Sequence, residues 1–183
     1  MQKIKYITGR GGDARSGLSV YLETLTDDYS VLAADPVFLR QSFHQQVSAV
    51  RDFCAIEQSN IIANSFGAYL FLHSLIDQPP LKSRILLLSP VLGRVTSEER
   101  MLISIPPGEK TLKSAIAEDR IALPRHLEIL TGEEDDICDA SLARSTADKL
   151  GAKIQVLEQE GHLITPSKVS DAISEFLMSS KRS

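Results

Sequence analysis

Three polar residues of this 183-residue chain have the types and the order that nucleophilic catalysis requires. Ser65 is followed two residues later by Gly67, Asp135 lies in an acidic stretch, and His162 follows a glycine. A serine hydroxyl is a weak nucleophile until a base removes its proton. An imidazole does this best when a carboxylate fixes its tautomer and stabilises the imidazolium. The pattern therefore predicts acyl transfer by Ser65, with His162 as base and Asp135 as orienting acid.

The stretch from Ile61 to Ala68 is typical of a nucleophile elbow, in which an apolar strand turns sharply into a helix at the serine. Such a turn needs small residues on both sides of the serine. Ala63 stands where the full G-x-S-x-G pattern has glycine, and Gly67 occupies the second position. By itself Ser65 also fits a polar turn residue or a helix N-cap, so the interpretation depends on its partners.

The acidic residues and the histidine each also have an interpretation that involves no catalysis. The stretch 133–136 also fits a solvated acidic turn, and Gly161-His162 also fits a turn with an exposed imidazole. Asp136 and Asp139 are alternative acids beside Asp135. The chain order of serine, then aspartate, then histidine nevertheless matches a known arrangement of this chemistry, and each group follows a predicted strand. Their joint occurrence favours the catalytic interpretation.

Strands alternate with helices along the chain, which predicts a mostly parallel sheet of about six strands with helices on both faces. The predicted strands cover 3–8, 29–34, 60–64, 84–89, 126–131 and 153–158, and the predicted helices cover 16–27, 38–56, 66–76, 140–150 and 167–178. Residues 90–124 break this alternation, apart from a helix over 110–120. They are predicted to form a small lid, a substrate wall or a surface connection within one domain spanning 1–183. Since ligands bind at the carboxyl ends of parallel strands, Ser65, Asp135 and His162 should converge at one edge of the sheet.

A glycine-rich turn after the first strand, Gly9-Arg10-Gly11-Gly12, fits the same chemistry. Acyl transfer needs N–H donors aimed at the developing oxyanion, normally the amide after the nucleophile and one from an early strand-to-helix loop. Phe66 would supply the first donor, and either Arg10 or Gly11 the second. The Arg10 side chain points either into the cleft or into solvent.

These motifs resemble those of the α/β-hydrolase superfamily. The small size and minimal cap are similar to compact bacterial serine hydrolases and esterases, including the group of retinoblastoma-binding protein 9. The segments that carry the resemblance are 9–12, 64–67, 132–135 and 161–162. It implies an α/β-hydrolase fold and carboxylesterase-like cleavage of a small-molecule ester or thioester without a cofactor, with Ser65 as nucleophile, His162 as base and Asp135 as acid. Two features depart from the family pattern: Ala63 replaces a glycine, and the first loop lacks the histidine often found before its glycine.

A dinucleotide-binding protein is the competing enzyme class. Gly9, Gly11 and Ala14 match G-x-G-x-x-A after the first strand, and Asp35 lies at the end of the second. This pattern is typical of a pyrophosphate held at a helix N-terminus with an acid on the ribose. It leaves the serine, aspartate and histidine unexplained, and no Tyr-x-x-x-Lys pair is present. A third interpretation is a hydrolase fold that binds a partner without turnover.

The composition of the chain limits the classes of partner that we expect it to bind. A net charge of −4 without a basic block argues against nucleic acid or an anionic membrane surface. Cys54 and Cys138 lack metal-ligand spacing, and His44, His73 and His126 are predicted to be structural or exposed, so we expect no metal site. We expect no signal peptide, because the N-terminal stretch lacks a long apolar core and a small-residue cleavage site, and no apolar run approaches the length of about 20 residues needed to span a bilayer. We therefore expect a cytoplasmic protein that acts on a small acyl compound.

Overall fold

The computed structural model describes residues 2–55, 57–93, 95–97 and 102–179. The strands are β1 (Ile4–Ile7), β2 (Tyr29–Leu32), β3 (Asn60–Asn64), β4 (Arg84–Leu88), β5 (Val95–Ser97), β6 (Leu102–Ser104), β7 (His126–Gly132) and β8 (Lys153–Leu157). The helices are α1 (Gly17–Glu23), α2 (Pro36–Leu39), α3 (Phe43–Ala55), α4 (Phe66–Ser74), α5 (Glu109–Ala117), α6 (Ala140–Leu150) and α7 (Pro166–Ser179). Across these ranges, no helix combines the length and the apolarity that a bilayer crossing demands.

Six strands form one parallel sheet in the spatial order β2-β1-β3-β4-β7-β8. The central strands are apolar on both faces because each face is covered by helices. Along β3, for example, Ile61 and Ala63 join the core cluster that includes α4, whereas Ile62 joins the cluster that includes α1 and α7 residues. The arrangement confirms the predicted six-strand sheet and brings the ends of β3, β7 and β8 to one edge.

The helix that the sequence predicts over 38–56 is two helices in the structure. The Asp35 carboxylate caps α2 by accepting hydrogen bonds from the amides of Val37 and Phe38 at 2.9 and 2.8 Å. Ser42 and Gln45 then cap α3 reciprocally, since each side chain accepts from the other's amide, at 3.4 and 2.9 Å. This S-x-x-Q capping box is visible in the sequence and accounts for the break. Residue 56 lies outside the described residues.

The irregular segment 90–124 contains the short antiparallel pair of β5 and β6, which the sequence does not predict, and α5. Residues 94 and 98–101 of this segment lie outside the described residues. The stretch before α5 is fixed to α4, because the Tyr69 hydroxyl donates a 2.8 Å hydrogen bond to the Pro107 carbonyl. A role for the segment as a lid or substrate wall stays a prediction.

His73 lies beneath this stretch as a buried side chain, only 5% exposed. Its ring meets the rings of Phe43 and Tyr69 edge-on, at centroid distances of 4.9 and 4.6 Å. No hydrogen-bond partner for its Nε2 is found among the described residues. Because burial disfavours the imidazolium, the pKa of His73 falls from 6.5 to about 4.

We expect His73 to make stability depend on pH. Its pKa is lower in the folded state, so its contribution is complete above the unfolded value of 6.5 and is lost as the pH falls towards about 4. The full loss is about 3 kcal/mol of unfolding free energy. Urea denaturation across this window should show a steeper decline for the wild type than for His73→Phe, which cannot titrate. His44→Gln, at an exposed position of α3, is the control and should keep the wild-type decline. Equal declines in the wild type and His73→Phe would contradict the assignment.

Candidate active site

Ser65 lies at the sharp turn between β3 and α4. Its backbone has φ +50° and ψ −115°, a conformation that is strained for a residue with a side chain. Two hydrogen bonds hold the turn: the Ser65 amide donates to the Leu88 carbonyl at 2.9 Å, and its carbonyl accepts from the Val91 amide at 3.2 Å. The surrounding backbone therefore maintains the strain and presents the serine at the edge of the sheet.

The two small positions around Ser65 have different requirements. A Cβ atom at Gly67 would lie 2.3 Å from the Thr8 carbonyl oxygen and 2.8 Å from that of Ile7, so α4 crosses the end of β1 only because this residue is glycine. Ala63 is fully buried in the core cluster that contains α4 residues. Its methyl group therefore fits the fold, and the departure from the glycine pattern at this position does not disturb the turn.

A chain of hydrogen bonds connects the three predicted residues. Ser65 Oγ lies 2.9 Å from His162 Nε2, and His162 Nδ1 lies 3.0 and 3.1 Å from the two carboxylate oxygens of Asp135. An ionised carboxylate only accepts hydrogen bonds, so Asp135 selects the tautomer of His162 that carries its proton on Nδ1. Nε2 is then free to accept the serine proton. The structure thus brings together residues that are 97 positions apart in the chain.

Asp135 is held rigidly, and its side chain is completely buried. Its Oδ1 also accepts hydrogen bonds from the amides of Ile137 and Cys138, at 2.9 and 2.7 Å. The alternative acid Asp139 has a different task, because it caps α6 by accepting from the amides of Ser141 and Leu142. Burial and backbone donors therefore single out Asp135 as the carboxylate that faces the imidazole.

The loop that carries His162 is anchored by Glu160, a residue that the sequence patterns do not single out. Glu160 pairs with Lys168 of α7 at 2.7 Å and accepts hydrogen bonds from the Thr165 amide and hydroxyl. The Lys168 ammonium, together with these donors, lowers the pKa of Glu160 to about 2. On the other side, a Cβ atom at Gly132 would lie 2.1 Å from the Glu160 carbonyl oxygen. Glycine at 132 therefore allows the aspartate and histidine loops to meet.

The glycine-rich turn after β1 passes next to the serine, since a Cβ atom at Gly9 would lie 3.3 Å from that of Ser65. The Gly11 amide already donates to the Ala34 carbonyl at 2.8 Å, which leaves Arg10 as the candidate with no backbone acceptor among the described residues. Phe66 is the first residue of α4, where amides lack a partner within the helix. The Arg10 guanidinium is exposed and lies over the Phe66 ring, 4.7 Å from its centroid.

The residues of the dinucleotide pattern are not arranged as such a site requires. Helix α1 begins at Gly17, beyond Ala14, so the glycine-rich turn does not run directly into a helix N-terminus. Asp35, the expected ribose ligand, uses its carboxylate to cap α2. These positions favour a structural role for the loop and for Asp35.

The family model described as serine hydrolase matches residues 23–171. No curated protein matches the sequence. Among solved structures, the ydeN gene product of B. subtilis aligns with a TM-score of 0.64 at 15% identity, covering 97% of this chain and 100% of that one. Esterase PE8 aligns with a TM-score of 0.61 at 17% identity, covering 96% of this chain and 92% of its own.

A third structure comes from work on carboxylesterases of the thaumarchaeon Nitrososphaera gargenis, and aligns with a TM-score of 0.63 at 11% identity, covering 99% of this chain and 91% of that one. At identities this low, the alignments demonstrate a common fold and carry no information about the substrate. Together with the parallel sheet, they confirm the α/β-hydrolase fold that the motifs around 64–67 and 161–162 predict.

Proposed function

The chain belongs to the serine hydrolase family, and from this premise we propose that it cleaves an ester or thioester of a small acyl compound through a Ser65–His162–Asp135 triad. The observation that carries the proposal is the continuous hydrogen-bond chain from Ser65 Oγ through His162 to a buried carboxylate. The nucleophile at a strained turn supports it as well, because this geometry exposes Oγ to an incoming carbonyl group. The compact, carboxylesterase-like hydrolases remain the group that the chain resembles.

The reaction proceeds in two stages. Ser65 Oγ attacks the carbonyl carbon while His162 Nε2 takes its proton, and the carbonyl oxygen becomes an oxyanion that faces the amides of Phe66 and Arg10. The bond to the leaving oxygen or sulfur then breaks, and His162 returns the proton to that atom. Water, deprotonated by His162, next attacks the acyl-enzyme. The acid departs and the Ser65 hydroxyl is regenerated. Asp135 stabilises the imidazolium in both stages.

Covalent labelling tests the proposal directly. The purified protein is treated with a fluorophosphonate while hydrolysis of p-nitrophenyl butyrate is followed, and the modified peptide is identified by mass spectrometry. We expect one label per chain on Ser65 and a loss of hydrolysis in proportion to labelling, because only an activated serine reacts rapidly with the reagent. Heat-denatured protein is the control and should not react. A folded protein that neither reacts nor hydrolyses the ester would instead be a hydrolase-fold binding protein.

A further inference from the structure

A cavity of about 430 Å³ lies beside His162, between α1 and α7. It occupies the face of the sheet whose core contains α1 and α7 residues, whereas α4 packs on the other face. Its wall is mainly apolar and is formed in large part by Leu18, Tyr21, Leu88, Leu163, Ile164 and Val169. Leu163 is 84% exposed, which places an apolar residue at the rim. Cavities of this size and character are typical of small-molecule sites.

Ser89, a polar residue of the wall, has a hydroxyl group that the cavity does not reach. Ser89 is 1% exposed, and its Oγ has no hydrogen-bond partner among the described residues. It directly follows β4 and has φ +40°, a strained value for a residue with a side chain. Buried hydroxyls in folded proteins are normally paired, because an unpaired one forfeits its hydration without compensation. The Ser89 Oγ atom has almost no accessible surface, so the cavity does not reach it, and the wall offers a ligand mainly apolar contacts.

The position of the cavity indicates which part of a substrate it would receive. His162 lines it, and in the proposed mechanism this side chain delivers a proton to the leaving atom. Phe66 and Arg10, whose amides are the proposed oxyanion donors, are not among its described lining residues, and neither is Ser65. The leaving group, which must lie next to His162 when the bond breaks, is therefore the part nearest to the cavity.

We propose that this cavity is the leaving-group pocket, which binds the unbranched aliphatic chain of a medium-length alcohol through apolar contacts. The inference rests on the proposed hydrolase function and adds its substrate class: esters whose alcohol part is apolar. In acylation, the ester C–O bond breaks and the alcohol leaves through this pocket with the proton from His162. The alcohol is absent from the acyl-enzyme, so the pocket has no part in deacylation.

The test compares two ester series on the wild type and on Val169→Phe, which narrows the pocket from α7. In the first series the acyl group is acetyl and the alcohol is ethanol, butanol or octanol; in the second the alcohol is ethanol and the acyl group is lengthened. We expect the wild type to favour octyl over ethyl acetate in kcat/KM by about tenfold or more, since each buried methylene contributes. Val169→Phe should lose most of this preference and keep the wild-type deacylation rate of the acetyl-enzyme. Ser174→Phe, at an exposed position of the same helix outside the lining, is the matched control.

A second variant and a separate readout keep the outcomes distinct. Leu18→Phe, which narrows the same cavity from α1, should lose the preference for the longer alcohol as Val169→Phe does. Fluorophosphonate labelling of Ser65 reports the proposed function independently of the pocket. Suppose that labelling is intact and that Val169→Phe leaves the alcohol preference unchanged, or changes the preference within the acyl series instead. The leaving-group assignment is then refuted, and the proposed hydrolase function is not. If the wild type neither labels nor hydrolyses any ester, the proposed function fails and this assignment fails with it.

Discussion

Ser65→Ala is expected to lower kcat for ester hydrolysis by about 10⁴-fold or more, because the residues of the proposed triad would act as a unit and no covalent intermediate would form without the nucleophile. Only the Oγ atom that faces His162 is removed. The amides of Phe66 and Arg10, the proposed oxyanion donors, remain in place and would still polarise a bound carbonyl group. Residual hydrolysis by water held near His162 would therefore persist at a low rate. The measurement is kcat for p-nitrophenyl butyrate under saturating conditions.

The fold should survive this substitution, since the backbone hydrogen bonds of the Ser65 turn do not involve its side chain. Circular dichroism and the urea midpoint should match the wild type, so that lost activity is not lost structure. Ser174→Ala, at an exposed position of α7, is the matched control and should hydrolyse the ester at the wild-type rate. Activity retained by folded Ser65→Ala would mean that another residue is the nucleophile.

Asp135→Asn is expected to lower kcat by about 10⁴-fold while leaving the shape of the site intact. The Oδ1 atom of Asp135 accepts from two backbone amides, so an asparagine oxygen would take that position and its NH₂ group would face His162 Nδ1. An NH₂ donor selects the tautomer with the proton on Nε2, which cannot accept the proton of Ser65. The imidazolium also loses its carboxylate. We would measure kcat against pH, because hydroxide partly replaces the missing base and should raise the variant's rate as the pH increases.

The neighbouring acid provides the control for this prediction. Asp136→Asn removes one negative charge from the same loop, and both carboxylate oxygens of Asp135 still face His162 Nδ1, so kcat should stay near the wild-type value. If Asp136→Asn reduced kcat as strongly as Asp135→Asn, the assignment of the acid would be wrong. A drop in both variants without loss of folding would point to the summed charge of the loop as the cause.

Local patterns in the sequence were sufficient to predict most of the strands and helices. Apolar runs such as 61–63 and 85–88 predict strands buried on both faces, and helical periodicity over 140–150 gives the observed bounds of α6. The two differences between the predicted and the observed elements also have local causes. The capping box at Ser42 and Gln45 divides the helix predicted over 38–56, and β5 and β6 are only three residues each, too short for a period-two pattern to be distinctive.

The sequence by itself determined the residue types, their order and the strand ends on which they lie, because these follow from hydrophobic periodicity and short-range turn chemistry. Only the tertiary structure decided which candidates meet. Asp135 faces the imidazole while Asp139 caps a helix, and the Gly11 amide is occupied by the carbonyl of Ala34 whereas that of Arg10 is not. Contacts of this kind join residues that are far apart in the chain. They therefore depend on the order of the strands in the sheet, because that order decides which backbone groups are paired. The cavity between α1 and α7 has the same origin, since its wall comes from segments that no local pattern relates to one another.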